Sequence, residues 1–315
     1  MWDFDWTVIN CNSDEFVPAQ FLGHDATSQG FRDLIRTVEE QAKATAENNH
    51  DDDDPDAIDW DWHKLVEIMV GRAMREGNGG TGATPDDILA AAARMPYLDQ
   101  VKAAIVDISK QDQAGQMILS DGNTLFIEAY LKANGMEGCF NEGIMTNIGE
   151  FVSIGGDEEG TEGTPALRVT HQSAKYGGHS CARCASSPNL CKTQALNDKL
   201  GALGDDVPEK IVYVGDGAND ACPALNVLRE RDVLLARGGV KRTEANDRSG
   251  AETDEEAKDR KTETKGGKFG IMSALKHAAE KEEGGGKIPK CRVMEWTSGK
   301  ELRDFIREII GGDNS

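Results

Sequence analysis

The chain begins Met1-Trp2-Asp3-Phe4-Asp5-Trp6-Thr7-Val8, two carboxylates alternating with aromatic rings and followed by a threonine. Far downstream stands Val212-Tyr213-Val214-Gly215-Asp216-Gly217-Ala218-Asn219-Asp220, an apolar run that closes on glycine and acid. Such a run reads as a buried parallel strand that delivers a polar residue to the carboxyl edge of a sheet, where open α/β folds bind ligands. Met117-Ile118-Leu119-Ser120-Asp121 is a third run of this kind. Successive side chains of a strand point to opposite faces, so Asp3 and Asp5, two apart, fall on one side and at the strand end project into the same cleft. Carboxylates buried beside rings cost on the order of several kcal/mol unless a cation or a proton offsets the charge. The second acidic pair, Asp216 and Asp220, therefore points to a divalent metal.

Four segments in this order, Asp3-Phe4-Asp5-Trp6-Thr7, the run ending at Ser120-Asp121, Lys192, and Gly215-Asp216 through Asp220, resemble the haloacid dehalogenase superfamily of aspartate-nucleophile phosphatases. A narrower resemblance rests on Asn12-Ser13-Asp14, on His179-Ser180-Cys181-Ala182-Arg183-Cys184 followed by Asn189-Leu190-Cys191-Lys192, and on Asp220-Ala221-Cys222-Pro223. These look like the phosphoethanolamine/phosphocholine phosphatase and pyridoxal-phosphate phosphatase branch. The resemblance spans Asp3 to about Arg237. It implies a Rossmann-like parallel sheet with a small helical cap inserted after the first strand. Trp6 departs from the family pattern, which usually has a charged or small residue there, and is expected to reshape the mouth of the site.

The resemblance also implies roles. Asp3 is the expected nucleophile, forming an aspartyl-phosphate that splits hydrolysis into two easier steps. Asp5 is the expected general acid toward the leaving alkoxide and then the base toward water, which requires a raised pKa. One Asp3 oxygen, the Asp5 backbone carbonyl and Asp216, with Asp220 close by, are the expected ligands of Mg2+, a hard cation suited to oxygen donors. Ser120 and Lys192 are expected to hold the equatorial phosphoryl oxygens. Asp14 and Asp121 are expected near the leaving group, where carboxylates favour a cationic head such as ethanolamine or choline. Pyridoxal phosphate, pyrophosphate and thiamine monophosphate are the alternative substrates.

Composition narrows the remaining classes. The chain has 315 residues, 38% of them hydrophobic, enough for one sizeable core and a smaller one, and no apolar stretch approaches a membrane span. A formal charge of -21 opposes phosphate backbones, which argues against a nucleic-acid partner. The same charge repels small phosphate esters from most of the surface, so the metal and Lys192 must supply local compensation. No partner protein is implied. Seven cysteines, an odd number without a secretory signal, argue for a reducing compartment, with the cytoplasm as default. The nucleophile strand has almost nothing before it, which suggests an internal start and leaves room for a lost targeting signal.

Between the first two motifs, residues 19–98 read as a helical cap, with 1–18 and 99–312 forming the catalytic core. Phe31, Leu34, Ile35 and Val38, then Leu65, Ile68, Met69 and Met74, recur at helical spacing. Thr84-Pro85-Asp86-Asp87 is a helix start: Thr84 caps, Pro85 opens and Asp87 stands three on. The acidic inset Glu47 to Asp61 lacks the spaced oxygens of a calcium loop and reads as solvated. Gly155 to Gly178 and residues 241–267 are too poor in apolar residues to repay the entropy of ordering, and both read as flexible insertions. The last helix, Gly299 to Ile310, turns Leu302, Phe305, Ile306 and Ile309 to one side.

His179, Cys181, Cys184 and Cys191 could ligate zinc, but a single Cys-x-x-Cys so close to its histidine favours reduced thiols that pack the loop presenting Lys192. A dehalogenase would not need Asp5 or a magnesium set. A non-catalytic binding protein is disfavoured by the intact Asp3 and Asp5.

Overall fold

The computed structural model describes residues 1–48, 61–155, 163–176, 189–238, 251–252, 270–280 and 287–311. At its centre the N-terminal residues lie between two strands. The Trp2 amide bonds the Met117 carbonyl (2.9 Å), the Leu119 amide bonds the Trp2 carbonyl (2.8 Å), and the Asp3 amide bonds the Val214 carbonyl (2.9 Å). Trp2 thus bridges in parallel to Ile118 on one side and Val214 on the other. Three residues do the work of a central strand. The Trp2 indole fixes the register further by donating to Gln116 Oε1 at 3.0 Å.

Around this axis stand β2 (Ile118–Asn123) and β3 (Ile144–Ile154) on one side, and β5 (Val212–Gly215), β6 (Val233–Arg237) and β8 (Arg292–Trp296) on the other, all parallel, while the short β1 (Tyr97–Leu98) and β7 (Ala251–Glu252) pair with each other. The order is therefore β3, β2, the N-terminal segment, β5, β6, β8. This is a doubly wound sheet whose direction of winding reverses beside the N-terminal segment, the place where such sheets form a ligand crevice. β6 is buried along its whole length, as a strand covered on both faces must be, which explains its unbroken Val-Leu-Leu-Ala run. The far half of β3 leaves the parallel sheet and pairs antiparallel with β4 (Thr164–Thr170), from Ile148↔Thr170 to Ile154↔Thr164.

Two apolar clusters fill the faces. One joins Trp2, Phe4, Ile118, Phe126, Tyr130, Val214, Leu235 and Trp296 to the final helix Gly299–Gly311, where Leu302, Ile306 and Ile309 are buried and Phe305 packs alongside. The other sets Leu196, Tyr213, Ala224, Leu234 and Leu275 behind the helices Lys192–Leu203, Ala218–Asn226 and Ile271–Glu280.

Between the first two sheet positions come five helices among the described residues, α1 (Ser13–Leu22), α2 (His24–Asn48), α3 (Trp62–Gly80), α4 (Pro85–Ala92) and α5 (Asp99–Ile108). Thr84 caps α4 in a complete capping box with Asp87, as its sequence dictates. Leu65, Met69 and Met74 of α3 are buried, whereas Ile68, expected on the same face, is 37% exposed. The 100° step per residue carries position 68 off the stripe defined by 65, 66, 69 and 70. α1 starts at Ser13 because the Asn12 side chain accepts from the Glu15 amide, and it runs through Pro18, so the division at residue 18 falls inside a helix. Most of the acidic inset and of residues 241–267, with His179, Cys181 and Cys184, lies outside the described residues. Gly155 to Gly178, expected as a flexible insertion, instead carries β4 over Thr164–Thr170 and a short helix over Gln172–Tyr176, because Leu167 and Val169 alternate inward and are buried. Among the described residues no helix is long and apolar enough to cross a membrane.

One buried ion pair holds two strand starts together. Asp232 accepts from the Ile211 amide (2.8 Å), the Arg229 amide (2.7 Å) and the Arg229 guanidinium (2.8 and 2.9 Å). Burial pushes its carboxyl up, but the Arg229 and Ile211 hydrogen bonds outweigh it and hold the group below the ordinary aspartate range. A depressed carboxyl stabilises the fold above its unfolded pKa and loses that effect as pH falls through the folded value. Asp232→Asn is therefore expected to cost about 1.5–3 kcal/mol in denaturant melts at pH 7, and the gap to wild type should close below about pH 4. A gap independent of pH would place the effect in shape rather than charge.

Candidate active site

The chain does not continue as a strand past Asp3. Phe4–Val8 winds into one wide turn, closed by the Ile9 amide on the Phe4 carbonyl at 3.1 Å, with Trp6 in the left-handed region at φ 56°. Asp3 caps this turn, its Oδ1 accepting from the Phe4 amide at 2.8 Å. A straight strand would put Asp3 and Asp5 on one face, about 7 Å apart along it. The turn instead lets Asp5 reach the start of α1, where Oδ1 accepts from the Ser13 amide (3.1 Å) and Oδ2 from the Ser13 hydroxyl (3.2 Å). Trp6 does not line an open mouth: it is 4% exposed, and Arg237 donates to its carbonyl and to Asn10 Oδ1. A tryptophan with positive φ is strained, and the guanidinium clamp is what stabilises it.

Lys192 opens its helix with Cys191 as the preceding cap residue, and contrary to the usual fate of a helix-start lysine it is fully buried. Its Nζ stands 2.7 Å from Asp3 Oδ1 and 2.7 Å from Asp220 Oδ1. Burial disfavours the ammonium, but the Asp220 and Asp3 carboxylates hold it charged, above the ordinary lysine value. Asp3 moves upward as well: burial leads, the Asp220 charge adds to it, and Lys192 pulls it back.

Asp220 is the fixed point of the corner. Its Oδ1 also accepts from the Tyr213 hydroxyl (2.7 Å), and its Oδ2 from the amides of Asp216 (3.1 Å) and Gly217 (2.9 Å). Gly215 has no substitute here, because a Cβ would stand 2.5 Å from the Asp220 carboxyl carbon. Ligand oxygens of Asp3, Asp216 and Asp220 converge within 4.8 Å. Three buried carboxylates against one described ammonium leave a negative surplus that oxygen-seeking divalent cations fit. Asp5 is not part of this convergent group; Ser13 donates to both its carboxylate oxygens.

Ser120 is fully buried, its Oγ accepting from the Gly122 amide at 3.1 Å. Asp121 follows it, its Oδ2 accepting from the Asn219 side-chain amide at 2.8 Å. Asp14 is buried on α1 with Oδ2 bonded by the Trp62 indole (2.6 Å) and Oδ1 without a hydrogen-bond partner. Trp62 is itself held by stacking on Phe31, ring centroids 5.1 Å apart. Burial, ahead of every charge nearby, raises the Asp14 carboxyl, and it raises Asp5 too, with Asp14 as the next cause. The charges of Asp5, Asp14 and Asp121 oppose one another across this space, so the region beside Asp5 is electronegative.

The sequence reading passed over several residues in contact with these. Asn147 donates to the Asp121 carbonyl (2.9 Å) and to Asn189 Oδ1 (2.9 Å), and His63 Nε2 stands 2.9 Å from the same carbonyl. Asn147 and Asn189 are polar residues at otherwise apolar strand and helix borders, which was the available signal. Asn219 sat inside the quoted motif without a role.

An α/β sheet that gathers a capped aspartate, a buried lysine and an acidic corner at its switch point defines a phosphoryl-transfer class of hydrolase, and comparisons with known proteins agree. The family model described as Putative Phosphatase matches residues 58–257, more than half of the chain, and the chain belongs to that family. It is a phosphoric monoester hydrolase. A thiamine phosphate phosphatase-like protein of Arabidopsis thaliana is 28% identical over 75% of this chain and 79% of its own length. The human phosphoethanolamine/phosphocholine phosphatase is 35% identical over 51% of this chain and 55% of its own, and a bovine pyridoxal phosphate phosphatase 31% identical over 51% and 61%. The chain thus spans less than two thirds of the latter two proteins. A solved haloacid dehalogenase family hydrolase of Salmonella enterica aligns over 70% of this chain and 57% of its own with TM-score 0.39 and 18% identity.

Proposed function

We propose that the chain hydrolyses small phosphomonoesters with Asp3 as nucleophile, and that it favours esters with a cationic leaving group such as phosphoethanolamine or phosphocholine. The observation that carries the reaction is the corner in which Lys192 bridges Asp3 and Asp220. In the proposed mechanism Lys192 orients the attacking carboxylate and draws charge from the equatorial phosphoryl oxygens, with Ser120 beside it. Asp3 attacks phosphorus as the leaving oxygen takes a proton from Asp5. Asp5 then removes a proton from the water that cleaves the aspartyl-phosphate. Burial and then the Asp14 charge push its carboxyl well up, the direction that suits the first role, in which it gives up a proton.

Mg2+, held by Asp3, Asp216 and Asp220 together with the Asp5 carbonyl, would supply charge neutralisation for the phosphoryl group. The all-oxygen donor set and the surplus negative charge of the corner support this cation. Chelation with EDTA is expected to stop phosphate release and added Mg2+ to restore it. Restoration by zinc but not magnesium would sink the assignment.

The division into a core of 1–18 plus 99–312 and a cap of 19–98 is part of the proposal, with α1 moving to the cap side. Specificity in this reading comes from the electronegative space beside Asp5. The Asp14 oxygen left without a partner is a ready acceptor for an ammonium. One charge-assisted hydrogen bond to a partly desolvated amine contributes about 1.5–3 kcal/mol, which a neutral ester cannot gain. Replacing Asp14 and Asp121 by Asn should therefore lower kcat/KM on phosphoethanolamine and phosphocholine far more than on a neutral ester of equal size. Equal losses would mean the carboxylates serve structure, and pyridoxal phosphate, thiamine monophosphate or pyrophosphate would then lead.

A further inference from the structure

A second corner of the molecule brings together ligand atoms of a different chemistry. Asp61 caps α3 through its Oδ1, which accepts from the His63 amide at 2.9 Å. Its other oxygen, Oδ2, lies 2.6 Å from Nε2 of His171, the first residue beyond β4. His63 is 1% exposed, and its Nδ1 faces Asp61 Oδ1 at 3.9 Å. One carboxylate oxygen and one nitrogen from each ring all fall within 4.8 Å of one another.

The hydrogen bonds assign the tautomer of His63. Its Nε2 stands 2.9 Å from the Asp121 carbonyl, which can only accept, and the Asn147 amide nitrogen 3.3 Å away already has acceptors in Asp121, Gly122 and Asn189, so in the neutral ring Nε2 carries the proton and Nδ1 the lone pair. That lone pair meets a carboxylate oxygen at a distance too long for a hydrogen bond. Two acceptors face each other in a buried space. Nδ1 of His63 has no hydrogen-bond partner, and neither has Nδ1 of His171, a concentration of unmet polar atoms that calls for an explanation. A cation between them would resolve the conflict at His63. The arrangement also has the supporting contact that metal-bound imidazoles show, the non-ligating N–H given to a backbone carbonyl.

We propose that Asp61, His63 Nδ1 and His171 Nε2 form a transition-metal site, best suited to zinc, that ties α3 to the end of β4. Two imidazoles and one carboxylate are a borderline donor set that favours zinc over magnesium. Metal bonds of about 2.0–2.2 Å to the three atoms need only small side-chain adjustments from the present spacing. On binding, the His171 proton moves from Nε2 to Nδ1, the other tautomer of the neutral ring, and leaves the Nε2 lone pair for the metal. The site closes a seam that already exists: Glu67 on α3 accepts from the Val169 amide of β4 at 2.6 Å. It is separate from the acidic corner of Asp3, Asp216 and Asp220, and it does not depend on the proposed reaction.

The test is a Co2+ titration of the full chain, stripped of metal and kept in excess Mg2+ so that the oxygen-only corner is filled. One equivalent should bind with the ligand-field bands of a nitrogen and oxygen site and without thiolate-to-cobalt charge transfer. The cysteine segment would produce that charge transfer and so declares itself. His171→Gln, which keeps a polar group beside Asp61, should weaken this binding by at least about 100-fold, and so should Asp61→Asn, which keeps the helix cap. Asp216→Asn should leave it unchanged. The proposal is overturned if wild type shows no nitrogen and oxygen cobalt spectrum, or if folded His171→Gln or Asp61→Asn titrates as wild type does.

Discussion

Asp3→Asn is expected to lower phosphate release by about four orders of magnitude or more, the scale on which loss of a covalent nucleophile is felt. The substitution keeps the shape of the corner. An amide oxygen at the same place still accepts from the Phe4 amide, so the wide turn over Phe4–Val8 should persist. What changes is the nucleophile and the pairing with Lys192, whose remaining carboxylate partner at bonding distance is Asp220. Circular dichroism and melting temperature should therefore stay close to wild type while turnover vanishes. Activity within tenfold of wild type would remove Asp3 from the chemistry.

Lys192→Met is expected to act on stability as well as on rate. The ammonium is the described cation at bonding distance from Asp3 and Asp220, and removing one partner of a buried ionic group costs about 3–5 kcal/mol, because the others are left uncompensated. Without it, the three convergent carboxylates must take up protons or a divalent ion. Hence the variant should melt well below wild type in EDTA and regain part of the loss in Mg2+, more than wild type gains. On the rate, loss of a preorganised cation at the developing charge should cost about 10²–10³-fold. An unchanged melting temperature in EDTA would mean that Asp3 and Asp220 share a proton and do not need the ammonium.

The sheet was legible because its signals are local. Tyr213-Val214-Gly215, Ile118-Leu119 and the β6 run are apolar without alternation, which only a strand covered on both faces requires. The α4 start was legible for the same reason, since a capping box is a contact between residues three apart. The turn over Phe4–Val8 was not. Alternating acid and aromatic residues read as a strand, and the fold overrides that reading because Arg237, more than two hundred residues away, holds the Trp6 carbonyl. Likewise the role of Lys192 as a helix-start residue says nothing of its depth; burial is decided by the strands on either side. Asn147, Asn189, Asn219 and His63 meet around Asp121 from four separate segments, and no spacing in the chain encodes such a meeting.

Trapping the covalent intermediate tests the central claim most directly. The full-length chain, mixed with phosphoethanolamine in Mg2+ and quenched in acid within the first turnover, should yield an N-terminal peptide that carries one phosphoryl group on Asp3, labile to hydroxylamine as an acyl phosphate is. The label should be absent from Asp3→Asn. Under the account the same mass appears, at lower occupancy, with any ester that the enzyme turns over. A phosphoryl group found on another residue, or full turnover with no phosphoprotein at any quench time, would contradict it.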